Sequence, residues 1–337
     1  MRRRLKPGWK RNRMEKIDEV HPYLYHYTRW DALVGILQNN TMWATHVKYL
    51  NDTSEYNLAT DYLSKKIVTS VREKLISAST TRIETNKFIE DNGGLETQTQ
   101  ILARDIINGF YNSTGDHFYV ASFCGTAQDP YESENGLLSQ WRGYGGDLGF
   151  CIVFNTKRLF NVLQNECDKY FYLPSHLSDV VYSHDTIKLQ EEFESGLKSI
   201  NKYVEGFLSS AILGIAQPQA ANAQLAFMQI ATRFKHQGFH EEREVRIVVA
   251  PIVREAELQL WRNKNTNNSK SEKKIEYRRL KNLSAPYVQL FGRSFEPLPI
   301  ERIIIGPSQN GSAAAELIRR IANGRNIEIS ESKTPYV

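Results

Sequence analysis

The run Val245-Arg246-Ile247-Val248-Val249 constrains the fold of this chain more than any other stretch. Its apolar members are all β-branched and Ala250-Pro251 closes it, so a buried strand is expected over 245–249. Two carboxylates stand at its mouth, Glu242 and Glu244, one residue apart. Side chains alternate across a strand, so the two are expected to share one face, with Arg246 next along it. Like charges that close repel, which lifts one carboxylate's pKa or calls for a cationic partner, and Arg246 is the candidate. An acidic pair of this kind is either functional or an ordinary solvated strand edge, and these residues alone leave both open.

Around that strand, short strands are scattered among long helices. Tyr23-Leu24-Tyr25-His26-Tyr27 alternates and is aromatic-rich, which reads as a strand. Asp31 caps a helix over 31–37, and 42–47 reads as a second strand. Asn51-Asp52 opens a long helical region in which Tyr56, Leu63, Ile67, Val71 and Leu75 fall at helical spacing, ended by Asn92-Gly93-Gly94. A further helix covers 96–108. Residues 117–124 read as a buried strand, 125–136 as a turn-rich loop, and Gly145-Gly146 breaks the chain after 137–144. Further strands are expected at 150–154, 180–182, 287–290, 302–305 and 327–329. Two helices broken near Pro218 are expected over 186–235, and another over 312–322. Without regular βαβ alternation, this pattern favours an α+β fold over a doubly wound sheet. No Pro/Gly-rich linker divides the chain. Residues 21–337 are therefore expected to form a single domain with a polar surface excursion at 262–283, behind a basic, flexible arm over 1–20.

Composition bounds the function classes. At 41% hydrophobic and 11% aromatic, a chain of 337 residues can bury a large core. No uninterrupted apolar run reaches the roughly 18–20 residues of a bilayer span, so no membrane partner is expected. The N-terminus is basic with no apolar stretch after it, so no secretory leader is expected. Cys124, Cys151 and Cys167 are odd in number with no CxxC pair, which argues against a disulfide framework and fits a reducing cytoplasm. The net charge of +5 is uneven: residues 1–16 carry eight basic side chains against Glu15, a net +7, which leaves −2 for the rest. Such an arm either meets nucleic acid or another acidic partner through counterion release, or is a solvated leader.

Standard catalytic motifs are missing from the sequence: it holds no GxxxxGK[ST], no HExxH and no GxSxG. Gly143, Gly145, Gly146 and Gly149 follow Trp141-Arg142 rather than a strand and do not form GxGxxG. His236 and His240 are four apart beside Glu241 and Glu242. Gly238 between them disfavours the helix that a metal-binding pair would need, so no metal is expected. What remains are residues at strand positions: His26-Tyr27-Thr28, Ser122, Trp141-Arg142 and Glu242-x-Glu244-x-Arg246. Each has an ordinary structural alternative, such as a satisfied histidine in an aromatic strand or a core tryptophan.

In chain order, Leu24-Tyr25-His26-Tyr27-Thr28, Leu50-Asn51-Asp52, Ser122-Phe123, Leu138-x-x-Trp141-x-x-Tyr144 and Glu242-x-Glu244-x-Arg246 resemble a widespread bacterial family. Ile305-Gly306-Pro307 and Ser332-x-x-Pro335-Tyr336 also fit it, and the resemblance covers residues 23–337. That family is known chiefly as a domain of unknown function, with members near phage-defence and abortive-infection genes. It in turn resembles the ADP-ribosyltransferase superfamily, whose split mixed β-sheet grips NAD. The resemblance implies an α+β, ADP-ribosyltransferase-like split mixed sheet with long helical insertions, and NAD as substrate without a metal. It implies that Glu244 carries the chemistry and that Glu242 orients the acceptor. His26, with Tyr27 and Thr28, would meet the nicotinamide-side ribose and amide, and Ser122 would line the nicotinamide pocket. Phe239 resembles the aromatic residue that meets the target. Trp141, Arg142 and Arg246 stand on the cofactor side, the arginines pairing either with pyrophosphate or with the glutamates. Ser122 is followed by Phe123-Cys124 rather than Thr-Ser, which departs from the superfamily pattern.

The implied activity is that of an NAD-dependent ADP-ribosyltransferase-like effector in bacterial anti-phage defence or a toxin system. It would act in the cytoplasm on a macromolecular acceptor, protein or nucleic acid, beside a neighbouring defence-system or antitoxin partner. Breaking the nicotinamide–ribose bond builds positive charge on the ribose, and a carboxylate facing that charge stabilises the transition state more than the ground state. An NAD glycohydrolase on the same fold and a non-catalytic module that binds nucleic acid or a partner are the alternatives.

Overall fold

A computed structural model describes residues 17–50, 54–114, 117–252, 270–280, 283–322 and 324–335. The basic arm over 1–16, Asn51-Asp52, the 262–269 part of the polar excursion and Tyr336 lie outside the described residues. The chain is mixed α and β and forms two compact units. One comprises Met1–Thr45, Tyr119–Asp179 and Glu241–Val337, and the other His46–Phe118 and Val180–His240.

The strands are β1 (Tyr23–Arg29), β2 (Thr41–His46), β3 (Tyr119–Cys124), β4 (Gly149–Asn155), β5 (Tyr172–Asp179), β6 (Val181–Tyr182), β7 (Phe234–Lys235), β8 (Glu244–Pro251), β9 (Ile275–Leu280), β10 (Leu283–Phe291), β11 (Ile300–Ile305) and β12 (Glu328–Glu331). The main helices are α1 (Trp30–Asn39), α2 (Ser54–Thr81), α3 (Ile83–Asp91), α4 (Gly94–Thr114), α5 (Thr156–Lys169), α6 (Thr186–Leu213), α7 (Ala221–Ala231) and α8 (Gly311–Ile321).

The first unit is built on a ten-stranded sheet in the order β12-β11-β4-β1-β3-β2-β10-β9, with β8 paired to β3 and β5 off this path. β11 and β12 run parallel, whereas β1 with β4 and β3 with β8 run antiparallel, so the sheet is mixed. The whole of one β3 edge is taken by β8. β1 and β2 therefore divide the other edge, and β1 meets β3 at a single registered pair, Tyr25 with Cys124. One face carries the main core, including Leu24, Phe123, Ile152, Val245, Ile247 and Ile303. The other carries a smaller cluster around Tyr25, Tyr27, Cys124, Cys151 and Trp141. β8 is buried along its entire length, which is why its sequence reads as a nearly unbroken apolar run.

The second unit is helical, with a two-residue parallel ladder between β6 and β7. Leu63, Ile67 and Val71 of α2, spaced by four, pack in one core with Ile107, Phe193, Val204 and Phe227. The helical region expected to run to Asn92 is interrupted at Arg82, which is extended. Just before it, the Thr80 and Thr81 hydroxyls donate to the carbonyl of Ser77. Such back-bonding competes with helix continuation.

Several elements depart from the sequence expectations. β7 falls in a stretch expected to be helical, and β9, expected within the polar surface excursion, is a sheet strand paired with β10. α5 and β5 have no counterpart among the expectations. α5 is capped by Asn155, whose side chain accepts the Arg158 N–H. β5 reads Tyr-Leu-Pro-Ser-His-Leu-Ser-Asp, poor in β-branched residues, and is held by its ladder to β8 with an irregularity between Leu173 and His176.

Candidate functional site

The alternation expected through Glu242 stops short of it. β8 begins at Glu244, whereas Glu242 ends the 3-10 turn Gln237–Glu242. Arg243 between them sits at φ +44°, a region that costs a non-glycine residue on the order of 1–3 kcal/mol. Two contacts hold it there. Its carbonyl accepts the Gly125 N–H at 2.8 Å, and its guanidinium donates to Glu132 Oε2 at 2.7 Å. Gly125 has to be glycine, because a Cβ would lie 2.4 Å from the His21 ring and 2.9 Å from the Arg243 carbonyl. The kink corrects the expectation that Glu242 and Glu244 share a strand face, since only Glu244 belongs to the strand.

Arg246 is the cationic partner of Glu244. Its Nε donates to Oε1 at 2.7 Å and its Nη2 to Oε2 at 3.0 Å, a charge-assisted fork. Both residues are buried, at 5% and 2% exposure. Directly across the ladders, Cys124 faces Glu244, and Ser122 and Ser178 flank Arg246. Cross-strand partners share a face, so these residues stand together. Tyr25, registered on Cys124, joins them, and the row continues through Val153 to Arg302. The Tyr25 hydroxyl meets Ser133 Oγ at 3.1 Å, and Arg302 donates to the Ser133 carbonyl. Ser178 and His176, which pairs with Val248 on the same face, are absent from the sequence expectations. The Ser178 hydroxyl is buried and finds no hydrogen-bond partner among the described residues. The signal that could have found them is the alternation His176-Leu177-Ser178, polar on either side of an apolar residue, in a segment that otherwise reads as loop.

His26 does not join this face. It pairs with Ile152 and packs on Phe123 at 5.7 Å, both members of the main core, so its ring lies opposite Glu244. Thr28 shares its side by alternation. The His26 Nδ1–H donates to the Ser122 carbonyl at 3.0 Å, tying β1 to β3 where the two strands part. Burial lowers the pKa of the ring, which favours the neutral donor. The expected trio of His26, Ser122 and Glu244 is thus brought close in register but divided between two faces.

Tyr27 and Trp141 form a packing node. The Tyr27 hydroxyl accepts the Leu137 N–H at 2.7 Å, and burial raises its pKa well above the ordinary tyrosine value. Its ring meets Trp141 edge-on at 4.9 Å. Trp141 opens a π-helical turn, is buried, and donates its Nε1–H to the Asn135 carbonyl at 2.9 Å. A Cβ on Gly136 would lie 2.6 Å from the indole and one on Gly306 2.9 Å from it. Ser332 also donates to the Asn135 carbonyl, at 2.6 Å. The aromatic strand, the Trp141 motif, Gly306 and Ser332 therefore converge on one packed indole. Burial also raises the Cys124 and Cys151 pKa values, so these thiols are poor nucleophiles.

Arg142 is exposed. Phe239 lies in the turn Gln237–Glu242, in the second unit, with the Lys235 ammonium 4.6 Å over its ring. His236 and His240 are on or beside that turn rather than on an α-helix. Among the described residues, no group of three or more His, Cys, Asp and Glu side chains could hold a metal ion.

A family model described as a protein of unknown function (DUF2971) matches residues 140–247. The match runs from Gln140, next to Trp141, through the Glu244–Arg246 pair to Ile247. No curated protein matches the chain, and no solved structure does.

Proposed function

We propose that this chain is an ADP-ribosyltransferase-like effector that uses NAD, releasing nicotinamide and passing ADP-ribose to a macromolecular acceptor. The observation that carries the reading is the buried Glu244–Arg246 fork at the start of β8, on a face lined by Ser122 and Ser178. A carboxylate held rigidly in a low-dielectric setting suits stabilisation of a developing oxocarbenium better than proton transfer. Arg246 fixes its orientation. Glu242, on the turn just outside the strand, is left to orient the acceptor. The division of β3's edge between β1 and β2 is compatible with an ADP-ribosyltransferase-like split sheet. His26 changes role: by its bond to the Ser122 carbonyl it sets the spacing of β1 and β3 instead of touching NAD. The setting proposed with this activity is cytoplasmic anti-phage defence or a toxin system, restrained by a neighbouring partner.

The test is incubation with NAD labelled in its adenylate part and a cell lysate, beside Glu244→Gln shown to be folded by circular dichroism. The expected result is label transfer and nicotinamide release by the parent protein, both lost in the variant. Free ADP-ribose with no labelled macromolecule would select an NAD glycohydrolase. The burial of Glu244 favours one second reading, in which the fork is a structural ion pair in a non-catalytic module. That reading predicts no nicotinamide release and no rise in melting temperature with NAD, whereas a ligand at 100-fold over its Kd stabilises by about 2.7 kcal/mol.

A further inference from the structure

At the far end of the sheet from β12, strands β2, β10 and β9 lie side by side. Met42, Ala44, Val288 and Leu290 turn one face into the main core. Alternation and register put Trp43, Thr45, Tyr287, Gln289, Glu276 and Arg278 on the other face. Trp43 is 44% exposed, although tryptophan is usually well buried. It is nonetheless a held side chain. The Tyr287 ring lies 4.6 Å from it at an interplanar angle of 39°. The Arg278 guanidinium stands 5.5 Å over the indole and donates to Thr45 Oγ1 at 2.9 Å. Glu276 is engaged inside the patch, accepting from the Tyr287 hydroxyl at 2.8 Å and from Gln289 Nε2 at 2.9 Å. The surrounding chain is cationic: residues 270–280 hold Lys270, Lys274, Arg278 and Arg279 against Glu272 and Glu276, with Lys273 set aside because its ammonium is buried against Glu166.

We propose that this sheet face is a stacking platform for the unpaired bases of single-stranded nucleic acid. Thr45 and Tyr287 of this face are buried, and the Trp43 indole held above them leaves part of its π-surface exposed for a base to stack on. A guanidinium beside it adds cation–π attraction and a phosphate contact, and the positive balance of the strand supplies charge complementarity to a polyanion. Duplex nucleic acid hides its base faces in the stack, so it cannot use Trp43. The site is separate from the Glu244 fork and stands whether or not the chain uses NAD.

The full chain is titrated with fluorescein-labelled single-stranded DNA, single-stranded RNA and a duplex of the same length, by fluorescence anisotropy at several salt concentrations. Single strands are expected to bind at least several-fold more tightly than the duplex. Trp43→Ala should weaken single-strand binding on the order of 10-fold to 100-fold, as loss of one stacked base does, and Trp43→Phe should recover part of it. Phe88→Ala, at an exposed aromatic in the other unit, should change nothing. Arg278→Gln should weaken binding and flatten its salt dependence. Trp43 is partly exposed, so its variants should fold, and circular dichroism checks this. Equal affinity for duplex and single strand, no binding of either, or undiminished binding by Trp43→Ala would overturn the proposal.

Discussion

Two carboxylates in the first unit are buried against a cation, and they are built differently. Glu166, at 0% exposure, is held by three separate stretches of chain. Oε1 accepts the Tyr172 hydroxyl at 2.8 Å and the Lys273 ammonium at 2.6 Å, and Oε2 accepts the Phe291 N–H at 3.2 Å. It ties α5 to β5, to β10 and to the chain just before β9, which is the work of a structural knot. Glu244 instead takes its fork from Arg246, two residues along its own strand, so that pair joins no distant elements by its fork. The Glu166 clamp thus joins separate stretches of chain, whereas the Glu244–Arg246 fork itself fixes one carboxylate's orientation within a single strand.

Glu166→Ala should strand the Lys273 charge and the Tyr172 hydroxyl, costing about 3–5 kcal/mol, read as a lower urea midpoint. Label transfer per folded molecule should survive. Glu244→Gln should behave the other way, lowering transfer roughly 10²–10³-fold with a smaller change in urea midpoint than Glu166→Ala gives. Equal stability losses and no change in transfer for the two variants would erase the distinction. Gly125→Ala drives a Cβ into the His21 ring and the Arg243 carbonyl, and overpacking of this kind costs about 1–3 kcal/mol. Because it displaces the kink before Glu244 and leaves Glu166 alone, transfer should fall more than the urea midpoint suggests. The smallest effect is on pH dependence. Burial depresses the folded pKa of His26 below its ordinary 6.5, so the unfolded state binds more protons in that window. Its contribution is fully present above 6.5 and is lost as pH falls toward the folded value. Urea midpoints at pH 7.5 and 5.5 should therefore differ less in His26→Asn than in the parent chain.

Much of the secondary structure was legible because burial and periodicity agree in this chain. The β-branched run became β8, and the four-residue spacing of Leu63, Ile67 and Val71 became the buried stripe of α2. β5 was hidden because its residues lack strand propensity and its pairing with β8 alone holds it. At the site, the Glu244–Arg246 pairing could be anticipated from i, i+2 spacing. The exclusion of Glu242 could not, since it follows from a left-handed Arg243 whose two supports, Gly125 and Glu132, are more than a hundred residues away in sequence. The face of His26 was likewise out of reach, because alternation within β1 says nothing about which side of β8 carries Glu244 until the register of β1 on β3 is known.

The interleaving of the two units has a consequence for synthesis on the ribosome. The second unit is written in two passages, His46–Phe118 and Val180–His240, with three strands of the sheet between them. Its helical core cannot close until Phe234 has emerged, and by then β1 to β5 have been waiting without β8, which follows only at Glu244. At about 5–20 residues per second, β3 spends on the order of ten seconds without the strand that takes its whole edge. A chaperone that shields extended apolar segments would find its longest opportunity on this nascent chain there.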